Sequence, residues 1–367
     1  MKKIVGSMLQ YLTGKRLVLG ITCVFAFVCA ICLACISKGM AEGLSSQNMA
    51  ERWSEENDAA QISCFFSQKV TFGEEEIQAF RHYLDSALVA AAITNDSENP
   101  SARLWADAYS GTGVVTLTSD RASVSVDAVG VGGDFFLFHP LKLVSGYYFS
   151  EGDVMKDYCV VDEETAWQLF GSNDIAGQVI TIQDVPHIIV GVIKREQGRL
   201  AKAAGLDEPL VYVSYETLSS YGQASGISCY ELVMPNPVKG YTLDYVKSNI
   251  GTSQTETLVL ENTTRYGLLS LLNVLGGFGT RSMNGMAVIY PYWENIARGY
   301  EDLLALLLLL QSILLLYGGI LILIALITAW RHKTWTARSV WLAIKNKLQD
   351  LREIRWAKKK KVREVKE

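Results

Sequence analysis

Residues 17–36 read LVLGITCVFAFVCAICLACI, and residues 303–330 read LLALLLLLQSILLLYGGILILIALITAW. Neither stretch holds a charged side chain. At about 1.5 Å per residue, twenty helical residues span about 30 Å, the thickness of a bilayer's hydrocarbon core. The first run is longer than the apolar core of a secretory signal, about 7–15 residues. Cys32-Leu33-Ala34-Cys35 is a poor match to a lipoprotein site. An uncleaved anchor is therefore expected. The second run has 28 residues, so its helix should tilt or project beyond the bilayer. Its polar members Gln311, Ser312 and Tyr317 point to a helix–helix contact, and Gly318-Gly319 would permit a close one.

Charge is segregated around these runs. Residues 1–16 hold four basic side chains (Lys2, Lys3, Lys15, Arg16) and no acid. Residues 331–367 hold thirteen Lys or Arg against four Asp or Glu. The whole chain carries a net −4, so residues 17–330 carry −17. Cytoplasmic flanks collect Lys and Arg. Both ends are thus expected inside, at a cell membrane, with residues 37–302 extracytoplasmic. In the tail, Ala337, Trp341, Ile344, Leu348 and Leu351 fall at helical spacing among basic residues. That pattern fits either an amphipathic helix on anionic lipid or a plain positive-inside anchor. Nucleic acid is not an expected partner of a tail tethered to a membrane.

Between the runs the pattern predicts an α+β domain. Residues 41–58 favour helix and would carry the first span outward as a stalk. Residues 61–70 read as a strand, and 74–92 as a helix with Ile77, Phe80, Tyr83, Leu84, Ala87 and Leu88 on one face. Residues 93–101 read as a loop. Strands are predicted near 102–109, 113–119 and 121–130, with Gly130, Gly132 and Gly133 marking a turn. Further on come strand 157–162, helix 163–170 capped by Asp162 and ended by Gly171, and strands 177–183, 186–194 and 209–214. Strand 227–234, helix 241–250 and strand 255–261 close the domain. One βαβ-like half sits at each end, with a β-rich insertion between. Tyr292–Asp302 runs without a breaker into the second span, after a Pro291 suited to a helix start.

The stretch FFLFHPLKLVSGYYFSEGDVMKDYCVVDEETAWQLFGSNDIAGQVITIQDVPHIIVGVIKRE (135–196) resembles the periplasmic core domain of MacB-type transporters. The resemblance lies in the Leu-x-x-Gly-x-x-Phe-x-x-x-Asp turn, the Val-Val-Asp-Glu strand end, the Ala-Trp-x-Leu-Phe-Gly helix and the Gly-x-x-Ile hairpin ending in Val-Gly-Val. YPYWENIARGYED (290–302) is similar to the same family. The resemblance implies a porter-like subdomain from residues 59–115 and 226–265, a β-rich inserted subdomain at 116–225, a stalk at 37–58 and a connector with a second stalk helix at 266–302. It also implies work in an ATP-driven system, with the outer domain binding no nucleotide. Full permeases of this type have four spans, whereas this chain shows two, and no G-x-x-x-x-G-K-[ST] phosphate loop occurs in it. The chain is therefore expected to be either a subunit paired with a separate ATPase and permease or a relative that has lost transport.

No catalytic constellation stands out. His82, His139, His187 and His332 are scattered, without metal-ligand spacing. Gly130-Val131-Gly132-Gly133 leads into Phe-Phe-Leu-Phe, unlike a phosphate loop entering a helix. The acid clusters Glu74–Glu76 and Asp162–Glu164 fit helix starts. Cys23, Cys29, Cys32 and Cys35 lie in the first apolar run, and Cys64 and Cys229 could pair if their strands are neighbours. Catalytic, cofactor-binding and metal residues are accordingly expected to be none, and the chain a non-catalytic subunit of an ABC-type transport system serving efflux or mechanotransmission. Dimerisation through the membrane helices, with a like or unlike chain, is a further expectation. The rival reading is an anchored ligand-binding or signalling module.

Overall fold

The computed structural model describes residues 14–54, 56, 58–93, 103–281, 288–331 and 341. The expected tail pattern and the 93–101 loop fall almost wholly outside these. The chain forms two compact units, Ala34–Leu309 and Met1–Leu33 with Leu310–Glu367.

In the second of these units two helices pair. Helix α1 (Gly14–Glu42) and the chain's last described helix (Tyr292–Arg331) are both long and apolar enough to cross a membrane. A Cβ on Gly318 would stand 2.7 Å from the Phe27 ring, so the absent side chain is what seats that ring. Cys23 Sγ lies 3.6 Å from the Gly318 carbonyl, and the Tyr317 hydroxyl donates to Thr22 Oγ1 at 3.3 Å. A Cβ on Gly319 would meet nothing within 4 Å among the described residues. Only the first of the two glycines makes the close contact.

The Ala34–Leu309 unit is built on one mixed sheet. After α1 the chain passes through a 3₁₀ turn (Ser45–Gln47) and helix α2 (Met49–Trp53) into strand β1 (Ala59–Phe66). Helix α3 (Glu74–Ala90) leads to the long strands β2 (Ala106–Thr118) and β3 (Ser123–Gly133). Then come α4 (Phe135–Phe138), β4 (Lys142–Gly146), β5 (Tyr158–Asp162) and α5 (Glu163–Phe170). A hairpin follows, β6 (Val179–Ile182) and β7 (Val185–Lys194), turned through Gln183 and Asp184, both at positive φ. The rest is α6 (Arg199–Ala203), β8 (Leu210–Ser214), α7 (Tyr215–Tyr221), β9 (Gln223–Pro235), α8 (Tyr241–Asn249), β10 (Thr257–Glu261), α9 (Leu268–Gly276) and α10 (Tyr292–Arg331).

Strand order is β10-β1-β9-β2-β3-β8-β5-β7-β4, with β6 against β2 and β7. At one end β1-α3-β2 and β9-α8-β10 interleave, because β9 runs antiparallel between β1 and β2 while β1 runs antiparallel between β9 and β10. This is a split βαβ arrangement. Both its helices cover one face, where Ile77, Phe80, Leu84 and Val246 meet Ile62, Cys64, Tyr230 and Leu232. The other face carries Phe65, Cys229 and Val233 and is covered by Met49 of α2 and by Trp293 and Ile296 of α10. A separate cluster fills the β3–β8 region, where Ala166, Leu169 and Leu218 pack on Val126, Val161 and Val211.

Four expectations need correction. The stalk predicted through residue 58 is not one helix: α1 stops at Glu42, and Asn48 Nδ2 caps it by donating to the Ala41 and Glu42 carbonyls, 3.1 Å each. The strands predicted at 102–109 and 113–119 are one strand, β2, which runs from the split βαβ part into the inserted part. Gly130 and Gly132 lie inside β3 and make no turn. A Cβ there would strike Leu218 at 2.7 Å or the Tyr109 ring at 2.1 Å, so the glycines clear room for neighbours. Finally, β1 and β9 are neighbours, but Cys64 stands opposite Tyr230 and Cys229 opposite Phe65. That offset of one residue sends the two thiols to opposite faces, and all seven cysteines are free.

Candidate functional site

Three segments converge at one end of the sheet: the turn after α1, the loop after β10, and the first turns of α10. Arg265, in the loop after β10, is their meeting point. Its Nη1 and Nη2 donate to the two carboxylate oxygens of Glu294 at 2.7 Å each, and Nη1 also donates to Gln47 Oε1 at 2.9 Å. Its Nε donates to Glu301. The Arg265 side chain is 5% exposed and that of Glu294 1%. Burial alone would lower the Arg265 pKa, but the charge and hydrogen bonds of Glu294 outweigh it and hold it above the ordinary value. The guanidinium therefore stays charged, in a bidentate geometry lysine could not copy.

Around this pair sits a second layer. Arg298 Nε donates to Glu294 at 3.0 Å while its guanidinium lies 4.0 Å over the Tyr290 ring. Arg281 bridges Glu301 and Asp302. Glu294, Arg298 and Glu301 recur at i, i+4 and i+7, so α10 shows one charged stripe just before its apolar run. That stripe is a sequence signal, but its partner lies about thirty residues upstream in a loop and carries no spacing cue.

Next to the node, the other face of the sheet buries a polar line. His139 Nε2 meets a Glu231 oxygen, Ser63 Oγ donates to the other at 2.9 Å, and Asn262 Nδ2 donates to Ser63 at 2.7 Å. The His139 ring packs against Trp293 of α10, centroids 4.5 Å apart, and its Nδ1 meets no hydrogen-bond partner among the described residues. Among the remaining histidines, His82 is exposed and His187 is buried, its Nδ1 donating to the Val185 carbonyl at 2.9 Å. His332 lies outside the described residues. Among those residues no three His, Cys, Asp or Glu side chains are grouped to hold a metal ion.

The acid clusters act as caps and ion-pair partners. Glu76 accepts from the Gly73 amide at 2.9 Å and Glu74 from the Tyr109 hydroxyl at 2.9 Å. Asp162 caps α5 through the Thr165 amide at 2.7 Å and pairs with Arg195 at 2.9 Å.

A cleft of about 580 Å³ opens where α3, the Gly132–Gly133 end of β3 and the 149–158 loop meet. Tyr109, Phe135, Phe136, Phe149, Tyr158 and Tyr215 line it, with Glu74, Glu75, Glu216 and Lys156 at its rim. Arg81 stands behind it, bonded to Asp107 at 2.8 Å twice over and to Glu151 at 3.0 and 3.1 Å. A second cavity of about 490 Å³ lies along α10, between Tyr292–Tyr300 and residues 196–201. Gly299 lets Leu200 approach there, since a Cβ on it would meet Leu200 at 2.7 Å.

Comparison with known proteins shows the family of this chain. The model of the MacB-like periplasmic core domain matches residues 17–233. The macrolide export ATP-binding/permease protein MacB of Agrobacterium fabrum is 31% identical over 140 residues, 37% of this chain and 21% of that protein. MacB 2 of Aeromonas hydrophila subsp. hydrophila is 40% identical over 72 residues, 19% of this chain and 11% of that protein. The matched segments thus span about a fifth or less of those relatives. Among solved structures, the periplasmic region of MacB from Actinobacillus actinomycetemcomitans superposes at a TM-score of 0.37 with 16% identity, covering 61% of this chain and 94% of that one. The extracellular domain of the noncanonic ABC-type transporter YknZ from Gram-positive bacteria gives 0.36 and 15%, covering 55% and 99%. The family match covers more than half of the chain, which is a membrane protein with an extracytoplasmic segment and belongs to the MacB-like periplasmic core domain family of ABC transporter permeases.

Proposed function

We propose that this chain is a non-catalytic membrane subunit of an ABC-type transport system, passing movement between its membrane helices and its outer sheet. Both termini are cytoplasmic in this reading, and ATP is hydrolysed by a separate ATPase beside a partner permease. The observation that carries it is the Arg265 node. One buried guanidinium holds the turn after α1, through Gln47, and the first turns of α10, through Glu294 and Glu301. Helix α10 continues without a break to Arg331. A shift of α10 relative to β10 must either move the sheet or break a desolvated ion pair, and breaking such a pair costs about 3–5 kcal/mol. Stiff coupling of this kind is what mechanical transmission needs.

Purification of the tagged full-length chain from membranes in a mild detergent, followed by mass spectrometry, tests the reading. Co-recovery of an ABC ATPase and a multi-span permease is the expected result, and recovery of neither overturns it. Tags at both termini should resist protease in intact cells, as positive-inside charge predicts.

The aromatic cleft supports a second reading, a membrane-anchored module that binds an extracellular ligand. Its volume falls in the range of small-molecule sites. A purified chain that binds a ligand in that cleft and recovers no ATPase would favour it.

A further inference from the structure

Helix α9 has its polarity inverted for a surface helix of a water-soluble domain. Its sequence, LLSLLNVLG, holds no charged residue. Its inner side is apolar: Leu271 is buried against Leu304 and Ala305 of α10, with Met40, Ala41, Leu307 and Leu308 around them. Its outer side is apolar too. Leu268 is 61% exposed, Leu269 73% and Leu272 46%, and Phe278 just beyond the helix is 49% exposed. At 100° per residue these leucines share one arc, bounded by Asn273. A short helix that is greasy on both sides has no reason to face water.

The identity of what covers it follows from what α9 rests on. Its packing partners, Leu304 to Leu308, are the first turns of the uncharged 303–330 run. Leu303, Leu306 and Leu309, among and beside them, are exposed as well. The charged residues Arg281, Glu301 and Asp302 lie on the side of the run's start and are paired with one another. Helix α9 is therefore held at the depth where α10 turns from polar to apolar.

We propose that α9 is an interfacial helix. The Leu268–Leu269–Leu272 face, with Phe278, lies in the outer leaflet among the acyl chains nearest the headgroups, and docks the base of the outer domain on the lipid surface. The occupant is lipid, and this holds whether or not an ATPase partner exists.

The test uses the full-length chain in phosphatidylcholine vesicles, with Cys23, Cys29, Cys32 and Cys35 replaced by Ala. A nitrobenzoxadiazole label is placed on Leu269→Cys, on Leu272→Cys as a second site, and on Val154→Cys, which is 95% exposed, as a water-facing control. Lipids carrying a nitroxide high on the acyl chain should quench the two α9 labels roughly twofold or more, with blue-shifted emission, and leave the control unchanged. A blue-shifted label that nitroxide lipid does not quench would mean that protein, a second copy or a partner subunit, covers the face. Emission like the control's would mean water. Either result overturns the proposal.

Discussion

Arg265 and Glu294 form a bidentate ion pair, two hydrogen bonds of 2.7 Å, at a point where both side chains are almost wholly removed from water. Removing one member strands the other's charge. Arg265→Met should therefore cost about 3–5 kcal/mol, read as a lower thermal midpoint of the full-length protein in detergent. Pairing it with Glu294→Met should recover part of the loss, because two apolar side chains leave no buried charge on that pair, although Glu301 and Arg298 keep the recovery incomplete. A single variant as stable as the parent would show that the pair is not desolvated.

Cys64 and Cys229 face opposite sides of the sheet, and burial pushes both thiols, and that of Cys159, above the ordinary cysteine range. Two outcomes follow. Alkylation under native conditions near neutral pH should leave these three unmodified, whereas unfolding without reductant should expose all three to reagent. The sign of the pH effect is also set. A thiol whose folded pKa is raised keeps its proton in the folded state while the unfolded chain loses it, so stability falls as pH rises past the ordinary thiol value near 8.5. The slope should reach about 1.4 kcal/mol per pH unit for each thiol, added to a background from buried tyrosines. Denaturant unfolding across that range should show Cys159→Ala with a shallower decline than the parent. An equal decline would place the effect elsewhere.

What could be read from the sequence, and what could not, divides by range. The apolar runs, the α3 stripe and the Asp162 cap with Gly171 are local patterns, and each corresponds to an element observed, although of the stripe only Ile77, Phe80, Leu84 and Leu88 are buried while Tyr83, at its margin, is exposed. The cysteine faces needed register: parity along β1 and β9 means nothing until Cys64 is known to stand opposite Tyr230. The Gly130 and Gly132 misreading has the same origin, since what demands glycine is Leu218 and Tyr109 arriving from elsewhere. The break after Glu42 was hidden because its cap, Asn48, comes after the turn in a stretch otherwise good for helix. Of the candidate site, the spacing of Glu294, Arg298 and Glu301 is a local signal for a charged stripe on α10, whereas nothing local to Arg265 says that its loop reaches that helix.

Tyr109 closes one wall of the aromatic cleft and lies flat against Gly132, whose absent side chain leaves it room. Gly132→Ala must displace the ring. Overpacking of this kind costs about 1–3 kcal/mol, and the displaced ring would break the hydrogen bond from Tyr109 to Glu74. Tyr109→Ala in the same background should relieve the clash, so the double variant should lose less than the two single losses added together. Strict additivity of the thermal shifts would rule the contact out.

The two glycines of the second span make a matched pair for testing the membrane helices. Gly318 sits over the Phe27 ring, whereas Gly319, one residue on and turned by about 100°, has open space around it. Backbones approach most closely in lipid where small residues face each other's helix. Gly318→Leu should drive its side chain into Phe27, separate the helices locally and break the Tyr317–Thr22 hydrogen bond, with a cost of about 1–3 kcal/mol. Phe27→Ala in the Gly318→Leu background removes the obstacle and should return much of the thermal midpoint. Gly319→Leu should change little in the monomeric chain, so a loss from Gly319→Leu that appears only as protein concentration rises would identify a contact between chains. If the two leucine variants fell equally far in the monomer, and Phe27→Ala rescued neither, the Phe27–Gly318 seat would not be what joins α1 to α10.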